Sequence, residues 1–280
     1  MNNMSGLAIQ GYVAGVTSAV VVEGPEAGSF LQGLISQDVE RVQEIEAIRS
    51  FLLGPRGKFR SLMWLIRRAD AFWLFTDSPE NLLEDLRRFH LRVDCTITQY
   101  EGPVLDVLGA RPSEETGGVV AHIPWKGVER WIVAGVEPEL LSLDQLHEGE
   151  WTAVRVGAGE PEMGRDVDEG TIPQESGLVP DAVSFTKGCY LGQELVARID
   201  SRGRVNKRLV LLEIDNGEAP PAGARIEVGG DDVGVVSSSA RKLDGTGSVA
   251  LAMVPARVTE SVMVTWGDAS VEAHVSVADG

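Results

Sequence analysis

From Lys207 onward the chain breaks into six short β-rich stretches: 208–214, 224–228, 233–239, 248–254, 261–266 and 271–277. Gly, Pro and Asp turns separate them. Strands this short and this evenly spaced are satisfied by closing into a small antiparallel barrel, which leaves few unpaired edges. A β-barrel is therefore expected over residues 206–280, with a boundary near 205.

The texture upstream is different. Residues 17–23 (TSAVVVE), 46–53, 58–68 and 71–76 (AFWLFT) read as strands, the middle two joined at Gly54-Pro55-Arg56-Gly57, where Pro and Gly take turn roles. A short helix opens at Gly24-Pro25-Glu26, with Phe30, Leu31 and Leu34 at helical spacing. A second helix is expected after Ser78 as cap and Pro79 at its first position, with Glu80 against the dipole and Leu82, Leu83, Leu86 and Phe89 on one face. A strand at 93–99 completes an α+β lobe over 1–101, an antiparallel sheet covered by helices on one side. Strands at 103–109, 118–123 and 130–135 and helices at 137–147 and about 191–199 describe a second such lobe over 102–205. The fold class is α+β: two ferredoxin-like lobes and a C-terminal antiparallel β-barrel.

Charge narrows the partners. With 25 Lys and Arg against 42 Asp and Glu the chain carries −17, which disfavours direct binding of nucleic acid and of an anionic membrane surface. The excess acid lies in residues 1–50 and 101–200. No apolar run approaches the roughly 18 residues of a membrane span. Met1–Gln10 lacks a basic start followed by an apolar run, so no signal peptide is expected. Only Cys95 and Cys189 are present and no CxxC occurs, which excludes a zinc finger or a self-contained four-cysteine cluster. A reducing cytoplasm suits so few thiols.

Chemistry concentrates in Lys187-Gly188-Cys189-Tyr190-Leu191-Gly192-Gln193-Glu194. Cys189 precedes a helix start and follows a lysine by two residues, and both would favour its thiolate. On local chemistry alone, the balance favours a small apolar residue buried at a helix–loop junction. His90, His122, His147 and His274 are scattered, so a Cys–His enzyme would need folding to bring one near. Residues 157–188 are long and aperiodic, which usually marks function. Their acids Glu160, Glu162, Asp166, Asp168, Glu169 and Glu175 form either a solvated loop or a set of acceptors for an N–H-rich heterocycle, and the order of a calcium loop is absent. Arg198, Arg202, Arg204, Lys207 and Arg208 suit a helix end or an anionic ligand equally. Trp151 is a core residue or a flat platform for a ring.

KGCYLGQE followed by Val196-Ala197-Arg198 resembles the signature of the YgfZ folate-binding family, relatives of the aminomethyltransferase T-protein. Phe30–Val39 (FLQGLISQDV), Gly54–Lys58 (GPRGK), Trp151–Gly164, Pro173-Gln174-Glu175, Arg202-Gly203, Asn206-Lys207-Arg208 and Val249-Ala250-Leu251 follow the family in order, over about residues 17–256. The resemblance implies a tetrahydrofolate site formed by the two lobes, no stably bound metal, and a role in synthesis or repair of the iron–sulfur clusters of client enzymes, indirectly supporting tRNA modification. It implies Cys189 and Lys187 as working residues and Trp151, Glu175, Tyr190, Gln193, Glu194, Arg198 and Arg202 as folate contacts. No defined catalytic activity follows. The T-protein's paired aspartates correspond here to Ser61 and Leu62, and its pterin-holding glutamate to Gly157, which disfavours the alternative, a folate-dependent aminomethyltransferase. A third reading is an interaction module that uses its acidic face.

Overall fold

The computed structural model describes residues 9–113, 117–215 and 218–277, the side chains of Arg202 and Val277 excepted. The chain forms two compact units: one holds residues up to 146 together with 180–197, the other 147–179 together with 198 onward.

The first unit contains two antiparallel sheets. One has the order β3-β4-β5-β2-β6, from β2 (Ser18–Glu23), β3 (Ile48–Leu53), β4 (Phe59–Arg68), β5 (Ala71–Thr76) and β6 (Thr96–Gln99). The other has the order β1-β7-β9-β8, from β1 (Gly11–Ala14), β7 (Val104–Leu108), β8 (Val119–Pro124) and β9 (Glu129–Ala134). Strand β4, FRSLMWLIRR, is apolar on both faces because both are covered. Met63 and Leu65 join Val20, Val22, Phe72 and Leu74 under α1 (Ala27–Gln32) and α2 (Pro79–Phe89), whose Phe30, Leu31, Leu82, Leu83 and Leu86 fill that layer. Phe51, Phe59, Trp64, Ile66 and Phe75 are buried on the other side. At the β3–β4 turn the register slips by one residue, a bulge that leaves Ser61 opposite Leu52 on the helix-covered face and Leu62 opposite Phe51.

The second unit is built on a closed barrel, in the order β10-β13-β12-β11-β14-β15. Its strands are β10 (Lys207–Ile214), β11 (Arg225–Val228), β12 (Asp231–Arg241), β13 (Ser248–Pro255), β14 (Val262–Trp266) and β15 (Ala269–Val277). Val210, Leu212, Ile226, Val236, Ala252, Val254 and Val264 fill it. The expected α+β fold with its antiparallel barrel is borne out, each of the six β-rich stretches becoming one barrel strand. Helix α3 (Glu148–Gly157) packs on β12 and β13, and α4 (Pro173–Ser176) on β10. The chain passes between the units at α5 (Val179–Ala182) and α6 (Gln193–Arg202). Among the described residues no helix is long and apolar enough to cross a membrane.

Two local expectations are corrected, and one strand is new. The helix expected over 137–147 is a single 3₁₀ turn, Pro138–Leu141, stopped by Ser142 in the left-handed region at φ 51°. The true helix is α3, whose first turn is held by the Glu150 carboxylate accepting from the His147 N–H at 2.8 Å. Ser78 is the N-cap of α2, yet its side chain caps no N–H. Strand β1, not foreseen, pairs with β7.

Candidate functional site

The segment from Val183 to Gly192 has neither helix nor strand. Its backbone groups must therefore find partners elsewhere, and they find them in residues 33–38, between α1 and the following 3₁₀ turn. Ser36 Oγ donates to Ala182 O at 2.6 Å and accepts from the Phe51 N–H at 2.8 Å. The Ser184 N–H donates to Ser36 O at 3.0 Å, and the Leu191 N–H to Gly33 O at 3.2 Å. Gln37 Nε2 donates to Asp181 O at 2.8 Å. Lys187 Nζ donates to Ile35 O at 2.8 Å and to Gln37 O at 2.9 Å.

Lys187 lies 5.3 Å from the centroid of the Tyr190 ring, a cation–π contact. Burial lowers its pKa to about 8, opposed by the nearby Asp38 carboxylate. Burial also pushes the Tyr190 phenol up to about 12. Tyr190 is only 7% exposed, whereas Cys189 is an exposed free thiol and Gly188 is exposed beside it. The expectation from local chemistry that Cys189 is buried is thus overturned: residues 187 and 190–191 are fastened and the two between them face solvent. The Lys187 ammonium is hydrogen-bonded to two backbone carbonyls.

The motif's second glycine has a separate reason. Gly192 sits at φ 80°, and a Cβ there would meet Gly54 O at 2.7 Å, Leu53 Cβ at 2.9 Å and Gly57 Cα at 3.1 Å. Gly57, at φ 69°, would in turn meet Leu195 Cβ at 2.7 Å. The GPRGK turn and the KGCYLGQE segment are therefore in backbone contact, which only glycine permits. Gly188 has no positive φ, and a Cβ there would meet nothing within 4 Å.

Gln193 is half-buried and its N–H donates to Tyr190 O at 3.3 Å, while Glu194 is exposed. In the other unit, Trp151 lies inside α3 and is 7% exposed. Glu175 is half-buried, and its carboxylate accepts from the Ile172 N–H at 3.1 Å. Arg198 is exposed, and the side chain of Arg202 lies outside the described residues. Arg208 Nη2 donates to Val258 O at 2.6 Å, so it serves the barrel.

The acidic loop is not simply solvated. Asp166 is buried: it accepts from Arg155 Nη1 at 2.7 Å, from the Glu162 N–H at 3.0 Å and from Ser237 Oγ at 2.6 Å. Asp168 accepts from the Gly170 N–H at 2.8 Å. These carboxylates hold the loop's own backbone and the barrel strand β12. Ser61 is fully buried with no partner for its Oγ, and Leu62 is 9% exposed. Among the described residues no histidine is hydrogen-bonded to Cys189, and no three acidic, His or Cys side chains converge as a metal site.

Two sheets in one unit and a closed barrel in the other define the fold of the glycine-cleavage aminomethyltransferases. The crystal structure of glycine cleavage system aminomethyltransferase T from Bartonella henselae matches with a TM-score of 0.84, over 96% of this chain and 86% of that one, at 19% identity. On sequence, the chain is similar to proteins named tRNA-modifying protein YgfZ. That of Serratia proteamaculans is 28% identical over 262 residues, covering 81% of this chain and 79% of the relative. That of Edwardsiella ictaluri is 29% identical over 258 residues, covering 80% and 78%. That of Escherichia coli O7:K1 is 26% identical over 236 residues, covering 74% and 72%. No protein-family model matches. The resemblance carried by KGCYLGQE is borne out: this is a YgfZ-like chain on the aminomethyltransferase T fold.

Proposed function

We propose that the protein is a tetrahydrofolate-binding accessory factor, acting in the cytoplasm in the synthesis or repair of iron–sulfur clusters of client enzymes and thereby supporting tRNA modification indirectly. The observation that carries the reading is the exposed Cys189, held in a KGCYLGQE segment whose neighbours are fastened on both sides. A thiol with no base beside it and an open approach is suited to meeting a second molecule.

The residues fit folate in part. The exposed Arg198 can offer its guanidinium to the ligand's carboxylate tail, and the exposed Glu194 can accept from pterin N–H groups. Gln193 is assigned the same ligand. Trp151 and Tyr190 are buried, so neither offers an open ring face, and Glu175 spends one oxygen on its own helix. Aminomethyl transfer is the weaker reading, because the position of Ser61 holds a closed-in hydroxyl and that of Leu62 an alkyl chain, where a carboxylate would be needed to hold a cationic amine.

Two measurements test the proposal. Titration with tetrahydrofolate should quench tryptophan fluorescence saturably, and less so in Trp151→Ala; no saturable change refutes the folate assignment. A strain whose only copy carries Cys189→Ser should lose iron–sulfur enzyme activity, and full activity refutes the role of the thiol. Formation of methylenetetrahydrofolate from an aminomethyl donor would favour the transferase instead.

A further inference from the structure

Gln37 entered the sequence reading only as one letter of a motif, yet it is 5% exposed and uses every polar atom it has. Its N–H donates to Ser50 Oγ at 3.0 Å, and its carbonyl accepts from Lys187 Nζ at 2.9 Å. Its Oε1 accepts from the Asp38 N–H at 2.9 Å, and its Nε2 donates to Asp181 O at 2.8 Å. Two of these four bonds cross 144 and 150 residues of sequence to the segment that carries Cys189. A buried amide costs stability unless it is fully paired, and a fully paired one selects a single arrangement of what it touches.

We infer that Gln37 is a positioning residue for Cys189, and that Lys187 acts with it as the peg of one clasp, through its bonds to backbone carbonyls rather than by exchanging a proton with the thiol. This rests on the reading of Cys189 as the working residue. The clasp explains the pattern of exposure. Residues 181–184 are tied to Ser36 and Gln37, 187 to Ile35 and Gln37, and 191 to Gly33. Gly188 and Cys189 lie between the ties at 187 and 191 and form an exposed tip, as Phe185 and Thr186 do between the ties at 184 and 187. The peg also has a reason to be lysine. An ammonium offers three donors to a cup of carbonyl oxygens, and the Tyr190 ring supplies a surface for its charge.

The test compares Gln37→Leu, Lys187→Met, Lys187→Arg and Cys189→Ser by hydrogen exchange and by iron–sulfur enzyme activity in strains carrying each as the only copy. Gln37→Leu and Lys187→Met should speed exchange at the 187 and 191 amides by at least about tenfold, leave the amides of β3, β4 and β5 protected, and lower activity. Lys187→Arg keeps the donors but cannot release a proton near neutrality, and should retain both protection and activity. Unchanged protection at 187 and 191 in Gln37→Leu overturns the clasp, as does full activity with a loosened tip. An inactive Lys187→Arg with its tip still protected overturns the assignment of Lys187. If Cys189→Ser is fully active, the functional reading fails, while the exchange data still judge the clasp.

Discussion

The two glycines of KGCYLGQE should behave oppositely when each is replaced by alanine. At Gly192 the backbone is left-handed, φ 80°, and the new Cβ would stand 2.7 Å from Gly54 O, 2.9 Å from Leu53 Cβ and 3.1 Å from Gly57 Cα. The left-handed conformation alone costs a non-glycine residue roughly 1–2 kcal/mol. Two of the three atoms belong to backbone and cannot swing aside, so overpacking adds about 1–3 kcal/mol. The sum, on the order of 2–5 kcal/mol, lowers the melting temperature by about 10 °C in a chain of this size. Gly188→Ala meets open space at an ordinary φ and should fall within about 0.5 kcal/mol of the parent. Gly57 and Gly192 touch, so Gly57→Ala/Gly192→Ala should cost less than the two singles together. Calorimetry of the four proteins decides the matter. A Gly192→Ala protein melting within a degree or two of the parent, or a Gly188→Ala protein falling equally far, would refute the backbone contact between turn and motif.

Burial holds Lys187 at about 8, against 10.5 when unfolded. Between those values the unfolded chain keeps a proton that the folded chain has released, so folding stability rises with pH through that window, and Lys187→Met should remove the rise. The full shift would be worth about 3 kcal/mol, but the side chain is half-exposed and screened, so a difference of about 1 kcal/mol in the unfolding free energy from urea melts between pH 7.5 and pH 10 is expected; the same slope in both proteins would contradict it. Asp166→Ala removes the buried carboxylate of Arg155, which is only 4% exposed, and leaves it Glu162 at 3.5 Å; it should cost about 3 kcal/mol, the low end for breaking a buried pair, whereas Arg155→Met/Asp166→Leu should recover much of it. Recovery absent from the double variant would show that the pair does more than neutralise itself.

Elements punctuated by turn residues were legible in the sequence. Strand β5 runs over 71–76 as read from AFWLFT, and the barrel strands fall between their Gly, Pro and Asp turns. Helix α3 was not, because WTAVRV is rich in β-branched residues, whose strand preference is overridden here by packing on β12 and β13. The site was half legible. KGCYLGQE marked itself by its residue types, and Cys189 is where a reader would look first. What holds it was hidden, because Ser36 and Gln37 lie 144–150 residues away and bond largely to backbone atoms, which carry no side-chain signature. The partners of Lys187 were hidden for the same reason: two residues from the thiol in sequence, it bonds to Ile35 O and Gln37 O.

If Lys187 is the peg of a clasp, its charge is answered by carbonyl oxygens and the Tyr190 ring, and among the described residues no histidine is hydrogen-bonded to the thiol. Its reactivity must then be supplied by whatever approaches. An unfastened tip would have to be ordered at each encounter, at roughly 1–2 kcal/mol for every backbone residue fixed. The bonds from Gly33, Ile35, Ser36 and Gln37 move that ordering into folding, so an incoming group meets a preset thiol. Gly188 belongs to the same logic. Among the described residues nothing requires glycine there, since its φ is ordinary and a Cβ would meet nothing within 4 Å.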